Sequence, residues 1–282
     1  MHTEHERYGQ LNCLTAIPDG AEQYPPLLLV HGLGGGIWGW EPFQAWFADR
    51  GYRSYALELP GHGHDSDPAT AERMGTYSVE TYALWVSAAM AEIGRKFVIV
   101  GHSMGGLIAQ KLAESHKELG YVLLASAPPW HMFRRAYSSM WRHLLRHPWQ
   151  EVVWPMCGGT VVLDSTLQDS LVNNRLSPEV RADIAHRDVP DSGRASMQMA
   201  VGLVSVDVRR VTSPCLVIGG SDDRLIPLSE QKCLSEFYKC PLQVYDRGHM
   251  LMIENGYEAV AEGILSWVAA LQPAQAAQTT AP

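Results

Sequence analysis

The chain has 282 residues and a formal net charge of −8, with a pI of about 5.8. That acidity, with no basic stripe to offset it, argues against a nucleic-acid partner. No apolar run reaches the ~20 residues a membrane-spanning helix needs, and Met1-His-Thr-Glu-His-Glu-Arg lacks the basic-then-apolar build of a secretory leader.

A chain of this length can bury roughly three quarters of its unfolded surface, and one α/β domain with an insertion fits it better than two independent domains. The cysteines are Cys13, Cys157, Cys215, Cys233 and Cys240. Their odd number and scattered spacing predict free thiols in a reducing cytoplasm, with no metal-site spacing among them. Cys215 reads as a core residue of its strand.

Residues 6–16 read as a weak opening strand, and Tyr24-Pro-Pro as a break. Leu27-Leu-Leu-Val-His-Gly is a short continuous apolar run, the pattern of a strand buried on both faces. It ends in His31-Gly-Leu-Gly-Gly-Gly36. Trp38, Trp40, Phe43, Trp46 and Phe47 then recur at helical spacing, and Gly51 ends that helix. Ser54–Pro60 is the next strand, and 61–68 a loop by its turn residues. A helix over 78–94 puts Val79, Tyr82, Ala83, Val86 and Met90 on one face. The run Lys96-Phe-Val-Ile-Val-Gly-His-Ser-Met-Gly-Gly follows, then another helix and the strand Gly120–Ser126.

Strands alternating with helices predict a mostly parallel twisted sheet with helices on both faces and right-handed crossovers. The rhythm stops between about 127 and 206. There Trp130, Trp141, Trp149 and Trp154 lie among breaking prolines, Val161-Val-Leu163 is too short to assign, and the stretch reads as a helical cap over the strand ends. The rhythm resumes with strands at 215–220 and 242–246, a helix at 228–238, and a final helix at 256–271. Residues 272–282 read as a disordered tail. The predicted organisation is core 1–126, cap 127–206, core 207–271 and tail.

Gly101-His-Ser-Met-Gly105 between a buried strand and a helix is a G-x-S-x-G nucleophile elbow in its required setting. Ser103 must sit at the tip of a strained turn. Gly101 and Gly105 flank it because side chains there would collide with neighbouring backbone. The helix starting near Met104 aims free N–H groups and its positive dipole end beside Ser103. A serine hydroxyl needs a base, normally a histidine held by a carboxylate. Asp223 and His249 each follow a later strand, in the order Ser, Asp, His. Asp222 is the rival for the acid. His31 and His102 read as structural, each beside a glycine turn. His62 and His64 lack the carboxylate–histidine spacing of a metal site, so no metal or cofactor is expected. His131, His143 and His147 read as a polar cap face.

Four stretches resemble the α/β-hydrolase superfamily over nearly the whole chain: Leu28-Leu-Val-His-Gly-Leu-Gly-Gly, Leu59-Pro-Gly-His-Gly, Gly101-His-Ser-Met-Gly-Gly, and Gly220-Ser-Asp-Asp-Arg-Leu-Ile-Pro with Arg247-Gly-His249. The fold this implies is α/β, an α/β-hydrolase sheet with a helical cap insertion. The resemblance implies Asp223 rather than Asp222 as the acid, and the N–H of Leu33, with that of Met104, as an oxyanion hole. Among subfamilies it is similar to lysophospholipase-like and monoglyceride-lipase-like hydrolases. Gly-Gly-Gly-Ile-Trp-Gly-Trp is similar to the plant methyl esterase and hydroxynitrile lyase group. Two departures stand out: Asp65 replaces the usual serine after Gly-His-Gly, and Glu58 stands near a usual aspartate.

The expected function is hydrolysis of a carboxylic ester with an apolar part, through an acyl-enzyme on Ser103. Gly32, Trp130, Trp141 and Met250 are the expected substrate-binding residues. Thioester or lactone hydrolysis, acyl transfer and carbon–carbon cleavage share the same site chemistry, and a non-catalytic small-molecule receptor can share the fold. A small acyl substrate is the expected partner; a homodimer is compatible with the sequence.

Overall fold

A computed structural model describes residues 1–63, 68–132, 158–162, 165, 168–187 and 189–279. The strands are β1 (His2–Tyr8), β2 (Leu11–Ile17), β3 (Gln23–Val30), β4 (Tyr52–Leu57), β5 (Val98–His102), β6 (Gly120–Leu124), β7 (Thr160–Val161), β8 (Asp191–Ser192), β9 (Cys215–Gly220) and β10 (Leu242–Tyr245). The helices are α1 (Glu41–Asp49), α2 (Pro68–Glu72), α3 (Val79–Ile93), α4 (Met104–Ala113), α5 (Pro178–Ile184), α6 (Gly193–Ala200), α7 (Leu228–Tyr238) and α8 (Tyr257–Thr279).

Eight strands form one sheet in the order β1-β2-β4-β3-β5-β6-β9-β10. β1/β2 and β2/β4 pair antiparallel, and every later pair is parallel. The central strands are buried on both faces, which is why they read as unbroken apolar runs. Side chains alternate strictly between two cores. Leu28, Val30 and Ile99 join Val86, Leu107 and Leu234 of α3, α4 and α7. Leu27, Leu29, Val98 and Val100 join Phe43 and Phe47 of α1 and Val260, Ile264 and Val268 of α8. Each core buries well over a dozen large apolar side chains, each worth roughly 1.5–3 kcal/mol.

Three expectations need correction. Residues 6–16 are not one strand: β1 and β2 form a hairpin, with Tyr8 opposite Leu11. Gly9, at φ +59°, takes the left-handed conformation that a two-residue loop requires at its first position. The Tyr24-Pro-Pro stretch lies inside β3, and the missing proline N–H groups show instead as a register shift against β4 between Gln23 and Leu27. The last helix continues to Thr279, past the predicted end at 271.

Between β6 and β9 the described residues form a 3₁₀ turn at Trp130–Met132, a π-helical turn at Gln168–Val172, α5, α6, and the small antiparallel pair β7/β8. The Val161 stretch is thus a two-residue strand, held by Asp191 and Ser192. Residues 133–157 of the predicted cap, with Trp141, Trp149, Trp154, His143 and His147, lie outside the described residues, as do His64 and Asp65. No helix among the described residues is long and apolar enough to cross a membrane. Cys13, Cys215, Cys233 and Cys240 carry free thiols.

Candidate active site

Parallel strands end on the same edge of a sheet, and loops at that edge converge. β3 runs into His31-Gly32, β5 into Ser103, β9 into Asp223 and β10 into His249. The residues singled out from sequence therefore leave the sheet on one side.

Ser103 sits between β5 and α4 with φ +53° and ψ −116°, a conformation a side chain rarely takes. The surroundings hold it there. Its N–H donates to the Leu124 carbonyl at 3.0 Å, and its carbonyl accepts from Gly106 and Ala127, each at 3.0 Å. The flanking glycines are steric requirements. A Cβ on Gly101 would stand 2.3 Å from the Gly105 carbonyl oxygen, and one on Gly105 would stand 2.2 Å from that of Val30. Gly32 comes just as near: its Cβ would meet that of Ser103 at 2.9 Å. The glycine turn after β3 therefore abuts the serine. Met104 opens α4, so its N–H has no acceptor within the helix.

His249 and Asp223 are nearly inaccessible to water, and His249 Nδ1 lies 2.8 Å from Asp223 Oδ2. A carboxylate accepts, so Nδ1 carries a proton, and in the neutral imidazole Nε2 is then the nitrogen with the lone pair. Asp223 is itself fixed, since Oδ1 accepts the N–H groups of Leu225 and Ile226 at 3.0 and 2.8 Å. Asp222 points elsewhere. Its carboxylate receives Asn174 Nδ2 at 3.1 Å and Arg224 Nε at 3.4 Å. The loops after β9 and β10 are clasped together, with Asp222 N–H donating to the Arg247 carbonyl at 2.9 Å. A Cβ on Gly220 would stand 2.2 Å from the Gly248 oxygen.

His102, adjoining Ser103, carries the histidine loop. Its Nε2 lies 3.0 Å from the His249 carbonyl, and the two rings pack with centroids 4.7 Å apart. Burial, then the neighbouring His249, holds His102 well below the usual imidazole range. It is therefore neutral and donates from Nε2. The Asp223–His249 pair is in this way packed against the residue that precedes Ser103. His31 is likewise buried, with Nδ1 against the Gly32 carbonyl of its own turn and Nε2 accepting the Leu59 N–H. His62 is taken up by Asp191, 3.0 Å from its Nε2. Glu58 accepts the Ile37 N–H at 3.0 Å and lies where side chains on Gly36 and Gly63 would fall.

Sequence reasoning missed Glu254. This buried carboxylate accepts the Gly248 N–H at 2.8 Å and the Met250 N–H at 3.1 Å, bracketing His249. Glutamine there can accept from only one of the two. Glu254→Gln is expected to lower kcat about tenfold by loosening the histidine loop, and to cost about 1–3 kcal/mol of stability. Steady-state kinetics and urea unfolding measure both.

Glu230 was also missed. It lies buried at the start of α7, and neither carboxyl oxygen has a hydrogen-bond partner among the described residues. Burial, then the charge of Asp223, pushes its pKa up to about 8. Between about 4.5, its ordinary value, and about 8, the folded chain holds a proton that the unfolded chain has lost. Stability supplied by the neutral form is therefore lost as pH rises through that window. Glu230→Gln should remove this slope from a plot of thermal midpoint against pH.

A cleft of about 660 Å³, its open mouth included, runs beside the site. Gly32, Leu33, Trp38, Met250 and Met252 line it with His102 and, from the insertion, Val161, Val172, Asn173 and Ile184. No Lys, Arg, Asp or Glu is among the described lining residues. Of the residues expected to bind substrate, Gly32 and Met250 line this cleft. Trp130 does not line the cleft and is 48% exposed. Trp141 lies outside the described residues.

Comparison with known proteins agrees with the fold. A family profile described as "Alpha/beta hydrolase family" matches residues 27–263. The chain is 27% identical over 273 residues to a pimeloyl-[acyl-carrier protein] methyl ester esterase of Stenotrophomonas maltophilia, covering 90% of this chain and 96% of the relative. It is 26% identical over 238 residues to a 2-hydroxy-6-oxononadienedioate/2-hydroxy-6-oxononatrienedioate hydrolase of a Pseudomonas species, covering 78% and 79%. Among solved structures, a monoacylglycerol lipase of Paleococcus ferrophilus superposes with a TM-score of 0.69 at 20% identity, covering 93% of this chain and all of that one.

Proposed function

Because the chain belongs to the alpha/beta hydrolase family, we propose that it is a serine hydrolase cleaving a carboxylic ester with an uncharged, apolar acyl part. The observation that carries this reading is the Asp223–His249 pair, hydrogen-bonded at 2.8 Å and packed beside the strained Ser103 turn.

In this reading Ser103 Oγ attacks the ester carbonyl carbon and its proton passes to His249 Nε2. Asp223 holds the imidazole in the tautomer that can accept, and stabilises the imidazolium. The carbonyl oxygen becomes an oxyanion facing the N–H groups of Met104 and Leu33, each worth about 2.7–4 kcal/mol in the transition state. The C–O bond breaks, and the leaving alcohol takes the proton from His249. Water then attacks the acyl-enzyme with His249 as base, which releases the acid and restores Ser103.

The uncharged lining of the described cleft supports an apolar acyl group. Likeness to the dienedioate hydrolase over most of the chain supports a second reading, carbon–carbon cleavage by the same residues. The substrate in that relative's name is a dianion, and the described cleft offers no Lys or Arg to meet it. A panel of p-nitrophenyl esters, thioesters, lactones and a dienedioate separates the two. The ester reading predicts saturable turnover of uncharged esters. Turnover of the dienedioate with none of any ester would replace it.

A further inference from the structure

The insertion returns to the core through residues 189–192, where it grips the glycine turn after β3. Gly34 is held from both sides. Its N–H donates to Asp191 Oδ2 at 2.9 Å, and its carbonyl accepts the Val189 N–H at 3.5 Å. Asp191 is 1% exposed and well supplied with donors. Oδ2 also meets His62 Nε2 at 3.0 Å, and Oδ1 accepts the Tyr82 hydroxyl at 2.9 Å and the Ser192 N–H at 2.6 Å. His62 Nδ1 faces the Leu59 carbonyl at 3.1 Å, so both its ring nitrogens donate. Burial opposes that charge, but Asp191 outweighs it and raises His62 above its ordinary range.

His31 is the neutral counterpart. Its ring packs edge-on to His62 with centroids 4.9 Å apart. Burial, then the charge of His62, pushes its pKa down to about 3. Its Nε2 accepts the Leu59 N–H at 3.0 Å, so the proton sits on Nδ1, which donates to the Gly32 carbonyl at 2.9 Å. The Gly35 N–H donates to the same carbonyl at 3.2 Å. A trans peptide is planar, with its N–H opposite its C=O. Fixing the Gly32 carbonyl therefore aims the Leu33 N–H the other way. Gly34, at φ +68°, completes a turn of type II geometry. Flipping the central peptide of that turn would break the bond to Asp191.

We propose that Asp191, carried by the insertion and not by the core, is a positioning residue for catalysis. Through Gly34, His62 and His31 it fixes the turn that presents the Leu33 N–H to the oxyanion. The proposal rests on the serine-hydrolase reading above. It makes the insertion and the oxyanion hole one mechanical unit.

The test is Asp191→Asn. An asparagine amide group would face two donors where a carboxylate accepts from all four. With a p-nitrophenyl ester, kcat is expected to fall about 10- to 100-fold, somewhat less than outright loss of an oxyanion donor, with KM within threefold. Inhibition by a trifluoromethyl ketone, whose serine adduct carries the oxyanion, should weaken by a similar factor. General loosening of the fold would not single out that adduct. A folded Asp191→Asn with kcat and ketone inhibition within twofold of wild type overturns the proposal. If that variant does not fold, His62→Gln decides. It keeps an amide donor near Asp191 but removes its counter-charge, and kcat should fall about tenfold; unchanged kcat overturns the proposal. Fluorophosphonate labelling of the wild type is the control: an unreactive wild type defeats the serine-hydrolase reading itself, whereas a reactive wild type with unaffected variants defeats only the role of Asp191.

Discussion

Ser103→Ala is expected to lower kcat on a p-nitrophenyl ester about 10⁵- to 10⁶-fold, the scale on which loss of a serine nucleophile is felt. KM and the thermal midpoint should barely move. The reason for the second expectation is structural. The strain at Ser103 lies in its backbone, at φ +53° and ψ −116°, and is set by the Leu124, Gly106 and Ala127 bonds. Alanine carries the same Cβ through the same turn, so it inherits the strain without adding to it. Residual turnover should remain above the water rate, because the oxyanion donors proposed at Met104 and Leu33 would still be in place. Steady-state kinetics with a thermal melt of the same sample measure all three quantities.

Asp223→Asn is expected to lower kcat about 10³- to 10⁴-fold, while Asp222→Asn stays within about threefold of wild type. The two aspartates are adjacent in sequence and differ in what they touch. Asp223 Oδ2 accepts from His249 Nδ1, and its Oδ1 is held by two backbone N–H groups. That grip should seat an asparagine with its oxygen toward the backbone and its NH₂ toward the imidazole. Nδ1 would then accept, Nε2 would carry the proton, and no lone pair would be left for the serine hydroxyl. Asp222 makes its bonds to Asn174 and Arg224 at a half-exposed site, where loss of one charge matters little. Rates for both variants over pH 5–9 test the assignment; equal or reversed losses would overturn it.

The parts of this molecule legible in the sequence are those whose physics is local. The buried strands announced themselves because both faces pack, so Leu27–Val30 and Val98–Val100 have no polar alternation to blur them. The elbow was legible because backbone contacts a residue or two away forbid side chains at Gly101 and Gly105. Asp223 and His249 were singled out because each follows a strand whose end lies on the same edge as Ser103, and Asp223 was preferred to Asp222 on the family resemblance. The hairpin turn at Gly9 was missed because Gly-Gln is a weaker turn signal than Asn-Gly. Glu254, Glu230 and Asp191 were missed for a different reason. Each is a lone carboxylate with no spacing pattern, and its meaning comes from burial and from its partners. Gly34 and His62 lie 157 and 129 residues from Asp191. In the tryptophan-rich stretch aromatic content suggested a lining role for Trp130, but Trp130 is not among the described lining residues of the cleft and solvent reaches nearly half of it.

The central claim is that the hydroxyl of Ser103 is the nucleophile, activated by His249. Its most direct measurement is mass spectrometry of the wild-type chain after exposure to a fluorophosphonate, with peptide mapping of the adduct. One phosphonyl group on Ser103, absent from Ser103→Ala and much slower to form in His249→Ala, is the predicted result. A folded wild-type chain that stays unmodified, or carries the group on another residue while still turning over ester, would contradict it.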